Sequence, residues 1–242
     1  MDRFFLSPEQ WALSPMLTGD EARHCCRVMR KKEGDQILVF DGGGREGKAR
    51  IVKASKSEVR LEVLSTIESD ALNPLIEIAV GIPKGKTFDL ILQKAVEMGV
   101  TRIQPLMSEQ GNVRFHDDEG IAKLEKWQRV VLEACKQCGQ NSLPEVSKPI
   151  SLDSYLEDLE PGFSRFVGAL TPGTKTFRTL LGEVKNPERM ALLIGPEGDF
   201  SAGEYEGIFE AGFAPVSLGD LVLRTETAVF WMIAAVRYQF QS

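Results

Sequence analysis

From Leu75 onward the chain repeats one pattern. A short, mostly apolar run is followed by a turn, and then by a longer segment with apolar residues at three- and four-residue steps. Runs such as "LIEIAVG", "FVGAL" and "ALLIG" are strand-sized and show no polar alternation. A strand of that composition buries both faces, which is the condition of a parallel sheet covered by helices on either side. Helical segments alternate with the strands: "FDLILQKAVEM", stopped by Gly99 at its C′ position; a long one in which Ile121, Leu124, Val131, Ala134, Cys135 and Cys138 recur; a short capped one over "LDSYLEDL"; and "AGEYEGIFEA". The chain closes on "LGDLVLRTETAVFWMIAAVRYQF", in which Ala228 to Val236 are uncharged and suit a helix buried on all faces. The alternation predicts an α/β fold, and in such sheets ligands bind at the carboxyl ends of the strands.

Residues before Leu75 follow another rhythm. "QILVFDGGG", "GKARIVKAS" and "EVRLEVLS" are short strands divided by Asp-Gly-Gly-Gly and Lys-Ser, a small β-barrel or half-barrel ending near Thr66. "IESDALNP", closed by Pro74, reads as a linker. Two domains are expected, 1–70 and 71–242. The opening "MDRFFLSPEQW" lacks a charged, apolar leader, and nine uncharged residues cannot span a bilayer, which takes about 20. A cytoplasmic protein without membrane attachment is expected, its four cysteines free. "CKQC" has no matching half-site, and His24 and His116 fall in different halves, so no metal site is expected.

Net charge is −6, yet residues 1–70 hold 12 basic and 12 acidic side chains and are neutral. Within them "ARHCCRVMRKK" gathers Arg23, Arg27, Arg30, Lys31 and Lys32 with no acid among them. That stretch is either a solvated helix end or a contact for a phosphate backbone.

Three strand ends share one chemistry. "FVGAL" runs into "TPGTK", "ALLI" into "GPEGDFS", and "VSLG" into "DLVLRTETA", each leaving through Gly or Pro. Neither a P-loop nor a dinucleotide fingerprint is present. "SAGE" is a capping box, Ser201 with Glu204, which leaves Glu197 in the turn itself. Arg224, Thr225, Glu226 and Thr227 sit at the mouth of the last helix, where the first N–H groups lack partners; the plain reading is a cap with an Arg–Glu ion pair.

"IGPEGDFS" followed by "LGDLVLRTETA" resembles the paired signature of the RsmE family, 16S ribosomal RNA methyltransferases acting on N3 of a uridine within the SPOUT superfamily. "VFDGGG", "KGKTFDLILQKAVEMGVTRIQPLMSE" and "WQRVVLEACKQCGQNSLPEV" extend the resemblance over essentially the whole chain. It implies a PUA-like RNA-binding β-barrel followed by a SPOUT α/β domain with a C-terminal trefoil knot. It also implies a homodimer acting on 16S rRNA or the small ribosomal subunit, and S-adenosylmethionine gripped by three loops. Those loops map to Leu170 and Thr171; to Ile194, Gly195, Pro196, Glu197 and Gly198; and to Leu218–Thr227, in which Leu218, Gly219, Leu223, Thr225 and Thr227 are the cofactor-binding candidates. Two departures stand out: Gln140 replaces a usual Arg, and Asp199 stands where a second Gly is common.

Uracil N3 is a poor nucleophile until its proton is lost, after which charge spreads to O2 and O4. Arg224 is the candidate to stabilise that charge, and Glu226 either holds Arg224 or accepts the proton. Two other readings remain: a SPOUT methyltransferase acting on another RNA, and a catalytically silent RNA-binding assembly factor.

Overall fold

The computed structural model describes residues 2–240 apart from 56, 112, 116 and 172. The chain divides into two compact units. One runs to Ala71 and includes Leu132–Leu143; the other comprises Leu72–Val131 and the chain from Pro144 onward.

The first unit contains β1 (Arg3–Phe5), α1 (Pro8–Leu13), β2 (Met16–Thr18), α2 (Gly19–Arg23) running into a π-helical turn (His24–Val28), β3 (Gln36–Phe40), β4 (Arg45–Ala54) and β5 (Glu58–Glu68). The sheet order is β1-β3-β4-β5-β2. Gly47, Ala49 and Ile51 of β4 alternate inward, and the last two pack with Phe4, Leu17, Ile37, Val39, Val59 and Leu61. Register shifts between β4 and β5 at Lys48/Ala49 and Ile51/Lys53 add local twist, as bulges do. The sequence pattern showed neither β1 nor β2, which are three residues each, nor α1. That short helix is started by a capping box from Ser7 and Gln10 with Pro8 in its first turn.

Residues 132–143, read from sequence as part of the second domain, pack with the first unit. Buried Lys136 pairs with Glu21 and Glu133, and Arg3 donates to buried Asn141 Oδ1 at 2.6 Å and to the Gln140 carbonyl at 3.3 Å. The Lys136–Glu21 and Arg3 contacts join residues more than 100 positions apart, and no periodicity announces them.

The second unit runs β6 (Leu75–Gly81), α3 (Thr87–Glu97), β7 (Arg102–Met107), α4 (Asp117–Cys138), β8 (Glu145–Val146), β9 (Ile150–Ser151), α5 (Leu152–Glu157), β10 (Phe163–Gly168), α6 (Phe177–Glu183), β11 (Arg189–Ile194), α7 (Ala202–Glu210), β12 (Ala214–Val216) and α8 (Thr225–Phe240), with the end of α4 belonging to the first unit. Its sheet is parallel in the order β12-β10-β11-β6-β7-β8, and β9 also pairs with β7. Central β6 and β11 are buried almost throughout, as their unbroken apolar runs require.

The last helix corrects an expectation. α8 buries Ala228, Val229, Met232, Ile233 and Val236 but exposes Thr227, Trp231, Ala234 and Tyr238, which recur at helical spacing along one face. An apolar face left open and an apolar face packed look the same in sequence, so composition could not separate them. Near the helix end buried Arg237 donates to the carbonyls of Met98 (3.2 Å), Pro74 (3.0 Å) and Gly99, capping the C-terminus of α3.

Candidate active site

The loops after β10, β11 and β12 converge at the carboxyl ends of the sheet and enclose a cavity of about 580 Å³. Sequence chose these loops by their Gly and Pro exits, and the structure shows what the small residues permit. A side chain on Gly81, at the end of β6, would strike Pro196 at 2.5 Å, so only bare backbone lets these two strand exits lie together. Gly219 has φ of +121°, a conformation that side chains rarely adopt.

The loops are tied to one another. Buried Thr225 donates its hydroxyl to the Gly195 carbonyl at 3.1 Å. The Ser217 N–H donates to the Lys175 carbonyl (3.0 Å), and the Phe177 N–H donates to the Ser217 carbonyl (3.2 Å). Glu197 accepts from the Lys84 N–H at 3.0 Å, fixing the turn after β11 to the segment before α3.

Of the residues read from sequence as cofactor-binding, Leu170, Thr171, Ile194, Gly195, Pro196, Glu197, Leu218, Gly219, Leu223 and Thr225 line the cavity, and Arg224 does so at its exposed rim. Gly198 and Thr227 do not: Gly198 backs onto Gln110, and Thr227 is exposed on α8. Glu226 is half-buried beside the lining but not part of it. The Arg–Glu ion pair of the capping reading is not formed; among the described residues Arg224 pairs with no acid. Thr225 faces a neighbouring loop and Arg224 is left free. Sequence reasoning missed Asp199 and Ser217 as lining residues, although both lie inside the quoted motifs, and Asp220, Leu221 and Val222 also line the cavity within the third mapped loop. The wall thus carries three acids, Glu197, Asp199 and Asp220, against Arg224.

The basic stretch lies in the first unit. Arg23 pairs with Asp20 and Lys31 with Asp2 (2.6 Å), whereas Arg27, Arg30 and Lys32 form no ion pair among the described residues. Lys84, Lys86 and Arg114, exposed on the second unit in the segments after β6 and β7, were not singled out from sequence. Among the described residues no group of three or more His, Cys, Asp or Glu is arranged to hold a metal; His116 lies outside them. All four cysteines are free, and burial pushes the Cys25 and Cys135 thiols up to about 12. Among the described residues no helix is long and apolar enough to cross a membrane.

Residues 71–237 match the family model of the RNA methyltransferase domain, and residues 17–64 match that of the RNA methyltransferase PUA domain. The class is therefore an RNA methyltransferase domain joined to a PUA domain. Ribosomal RNA small subunit methyltransferase E of Bacillus subtilis is 30% identical over 99% of this chain and 97% of its own. The solved structure of ribosomal RNA small subunit methyltransferase E from Neisseria gonorrhoeae, bound to S-adenosyl methionine, is 34% identical with a TM-score of 0.88, covering 99% of this chain and 98% of that one. A putative methyltransferase of Legionella pneumophila in complex with the same cofactor is 30% identical with a TM-score of 0.89, covering 98% and 97%. The chain belongs to the ribosomal RNA small subunit methyltransferase E family.

The cavity suits that cofactor on its own chemistry. S-adenosylmethionine carries two cationic groups and one carboxylate, and the lining offers an acid excess, apolar Leu170, Leu218 and Leu223, and polar backbone from three loops.

Proposed function

We propose that this chain methylates N3 of a uridine in 16S ribosomal RNA of the small subunit, with S-adenosylmethionine held in the three-loop cavity. The observation that carries the reading is the combination of that cavity with a guanidinium at its rim that pairs with no acid among the described residues. When bound, the cofactor supplies an electrophilic methyl carbon on a sulfonium leaving group.

The protein's own work is alignment and charge management. Loop backbone and the Thr225–Gly195 bond fix the cavity wall. Arg224, paired with no acid among the described residues, is available to negative charge on uracil O2 and O4 as the imide proton leaves, and its planar fork suits two acceptors. Glu226 does not hold Arg224, so we assign it proton acceptance at the rim rather than a structural pairing.

Three further parts of the reading have support. The first unit, in which Arg27, Arg30 and Lys32 form no ion pair among the described residues while Arg23 and Lys31 do, is read as the PUA-like domain that grips RNA phosphates. A C-terminal trefoil knot belongs to the same reading, supported by the match of residues 71–237 to the RNA methyltransferase domain. The open face of α8, with Trp231 at 40% and Tyr238 at 92% exposure, supports a homodimer that covers it. A cytoplasmic location is part of the same reading.

The test is methylation of ribosomal RNA from a strain lacking the gene, followed by nucleoside mass spectrometry. 3-Methyluridine in small-subunit RNA is the expected product. A methyl group on another RNA would select the rival substrate, and cofactor binding without any transfer would select a silent RNA-binding factor.

A further inference from the structure

Asp199 has features that a plain connector does not need. Its φ is +62°, in the left-handed region where a side chain is disfavoured and where Asp and Asn are among the better tolerated non-glycine residues. It lies half-buried in the cavity wall. Its Oδ1 accepts from the Phe200 N–H at 2.9 Å and from the Tyr205 hydroxyl at 2.8 Å, and among the described residues no cation pairs with the carboxylate.

Neither neighbour accounts for the charge. α7 is capped without it: Ser201 Oγ accepts from the Glu204 N–H (3.2 Å), and Glu204 accepts from the Ser201 N–H (2.8 Å). Tyr205 is held by ring contacts with Phe200 and Phe209, and its hydroxyl also lies 3.5 Å from the Gly168 carbonyl. It therefore stands between the exits of β10 and β11 and aims its proton at Asp199. Burial, with Asp199 beside it, pushes the phenol well above its usual range, so it stays a donor.

The cofactor and its product differ in charge. S-adenosylmethionine has a net charge of about +1 near neutral pH, whereas S-adenosylhomocysteine has lost the sulfonium and is neutral overall. A wall with three acids and one base holds the first better than the second.

We propose that Asp199 is a cofactor-recognition residue, its carboxylate oriented by Tyr205 so that the cavity prefers the cationic cofactor to the demethylated product. The inference rests on the cavity being the S-adenosylmethionine site. The test is calorimetric titration of the full chain with S-adenosylmethionine, S-adenosylhomocysteine and uncharged 5′-methylthioadenosine. Asp199→Asn keeps the size, the accepting Oδ1 and the tolerance of positive φ, and removes only the charge. It should weaken S-adenosylmethionine by at least about fivefold, S-adenosylhomocysteine by less, and methylthioadenosine by under about twofold. Asp199→Gly, which also relieves the backbone but takes the acceptor from the Tyr205 hydroxyl, should repeat this ranking of affinities. Unchanged S-adenosylmethionine affinity, or equal losses for all three ligands, would overturn the proposal, since Asp199 would then only shape the turn. Equal losses for the cofactor and product alone would overturn the claimed preference. Gly195→Val separates the premise from the proposal: folded protein that still binds S-adenosylmethionine normally sinks the cavity assignment and the inference with it. Binding lost there but untouched by Asp199→Asn sinks the inference alone.

Discussion

Thr225→Val tests whether one hydrogen bond holds two walls of the site together. Thr225 is 4% exposed, and its hydroxyl reaches the buried Gly195 carbonyl at 3.1 Å. Valine has nearly the same shape, so packing against the loop is preserved while the donor is lost. A buried acceptor left without its partner costs about 1–3 kcal/mol, against about 1 kcal/mol for the net worth of an ordinary bond. For a chain of this size each kcal/mol moves the melting temperature by about 2–4 °C, so the variant should melt about 2–12 °C lower without ligand. Thr225→Ser keeps the donor and loses only a methyl group, and its loops should stay joined. Thermal unfolding of the ligand-free proteins reads the bond without interference from any direct contact between Thr225 and the cofactor. Titration with S-adenosylmethionine then reads its effect on the cavity, where Val should bind more weakly than Ser. A Val variant that melts and binds like the wild type would show that the loops hold their positions without this bond.

Arg224→Lys keeps the charge but loses the planar fork, and single-turnover methylation should fall by about 10²–10³ with cofactor affinity little changed; a normal rate removes Arg224 from the reaction. Glu226→Gln should lower that rate without recovery at higher pH, whereas an unchanged rate returns Glu226 to the fold. Gly219→Val forces a β-branched side chain to φ of +121°, and calorimetry should find S-adenosylmethionine binding abolished in protein that remains folded; normal binding would mean the turn tolerates a side chain. Replacing Arg27, Arg30 and Lys32 by Ala should flatten the logarithmic salt slope of RNA binding by up to ~0.7–0.9 for each phosphate no longer neutralised, and an identical slope would mean that these residues only face water. Arg237→Met leaves three carbonyls without their donor and should cost about 3–5 kcal/mol in urea unfolding; a loss under about 1 kcal/mol would show that solvent replaces the guanidinium.

The parallel sheet was legible because β6 and β11 obey a rule that leaves little choice: an unbroken apolar strand has to be covered on both faces. The three loops were legible for a related reason, since Gly and Pro at strand exits mark backbone that something must approach. What stayed hidden depends on distance along the chain. Nothing near Lys136 tells that its partner is Glu21, so the contacts of the end of α4 with the first unit could not be read from sequence. α6 is capped by Thr176, whose hydroxyl accepts from the Thr179 N–H, but at seven residues it offers less than two helical repeats to read. The free state of Arg224 was hidden too. Sequence spacing puts Glu226 within reach, and only the seating of Thr225 against Gly195 shows that the turn makes its polar contacts elsewhere.

That seating explains why a polar tetrad interrupts an apolar run. α8 is fixed near both ends by donors that meet carbonyls of other segments, Thr225 at Gly195 and Arg237 at Met98, Pro74 and Gly99. Between Ser217, which bonds to residues 175 and 177, and Thr225, the chain must cross the mouth of the cavity. It does so with Leu221 and Val222 at 78% and 76% exposure, and so with little apolar packing to hold it. Segments of that kind open at low free-energy cost, while the strands and the buried part of α8 do not. The site is thus a rigid three-strand exit closed by one loosely held crossing, pinned at two points. A ligand that fills the cavity would meet this crossing, whose residues line it. Substitutions at Leu221 and Val222 should accordingly alter cofactor affinity while leaving the ligand-free melting temperature in place, the opposite of the pattern expected at Arg237.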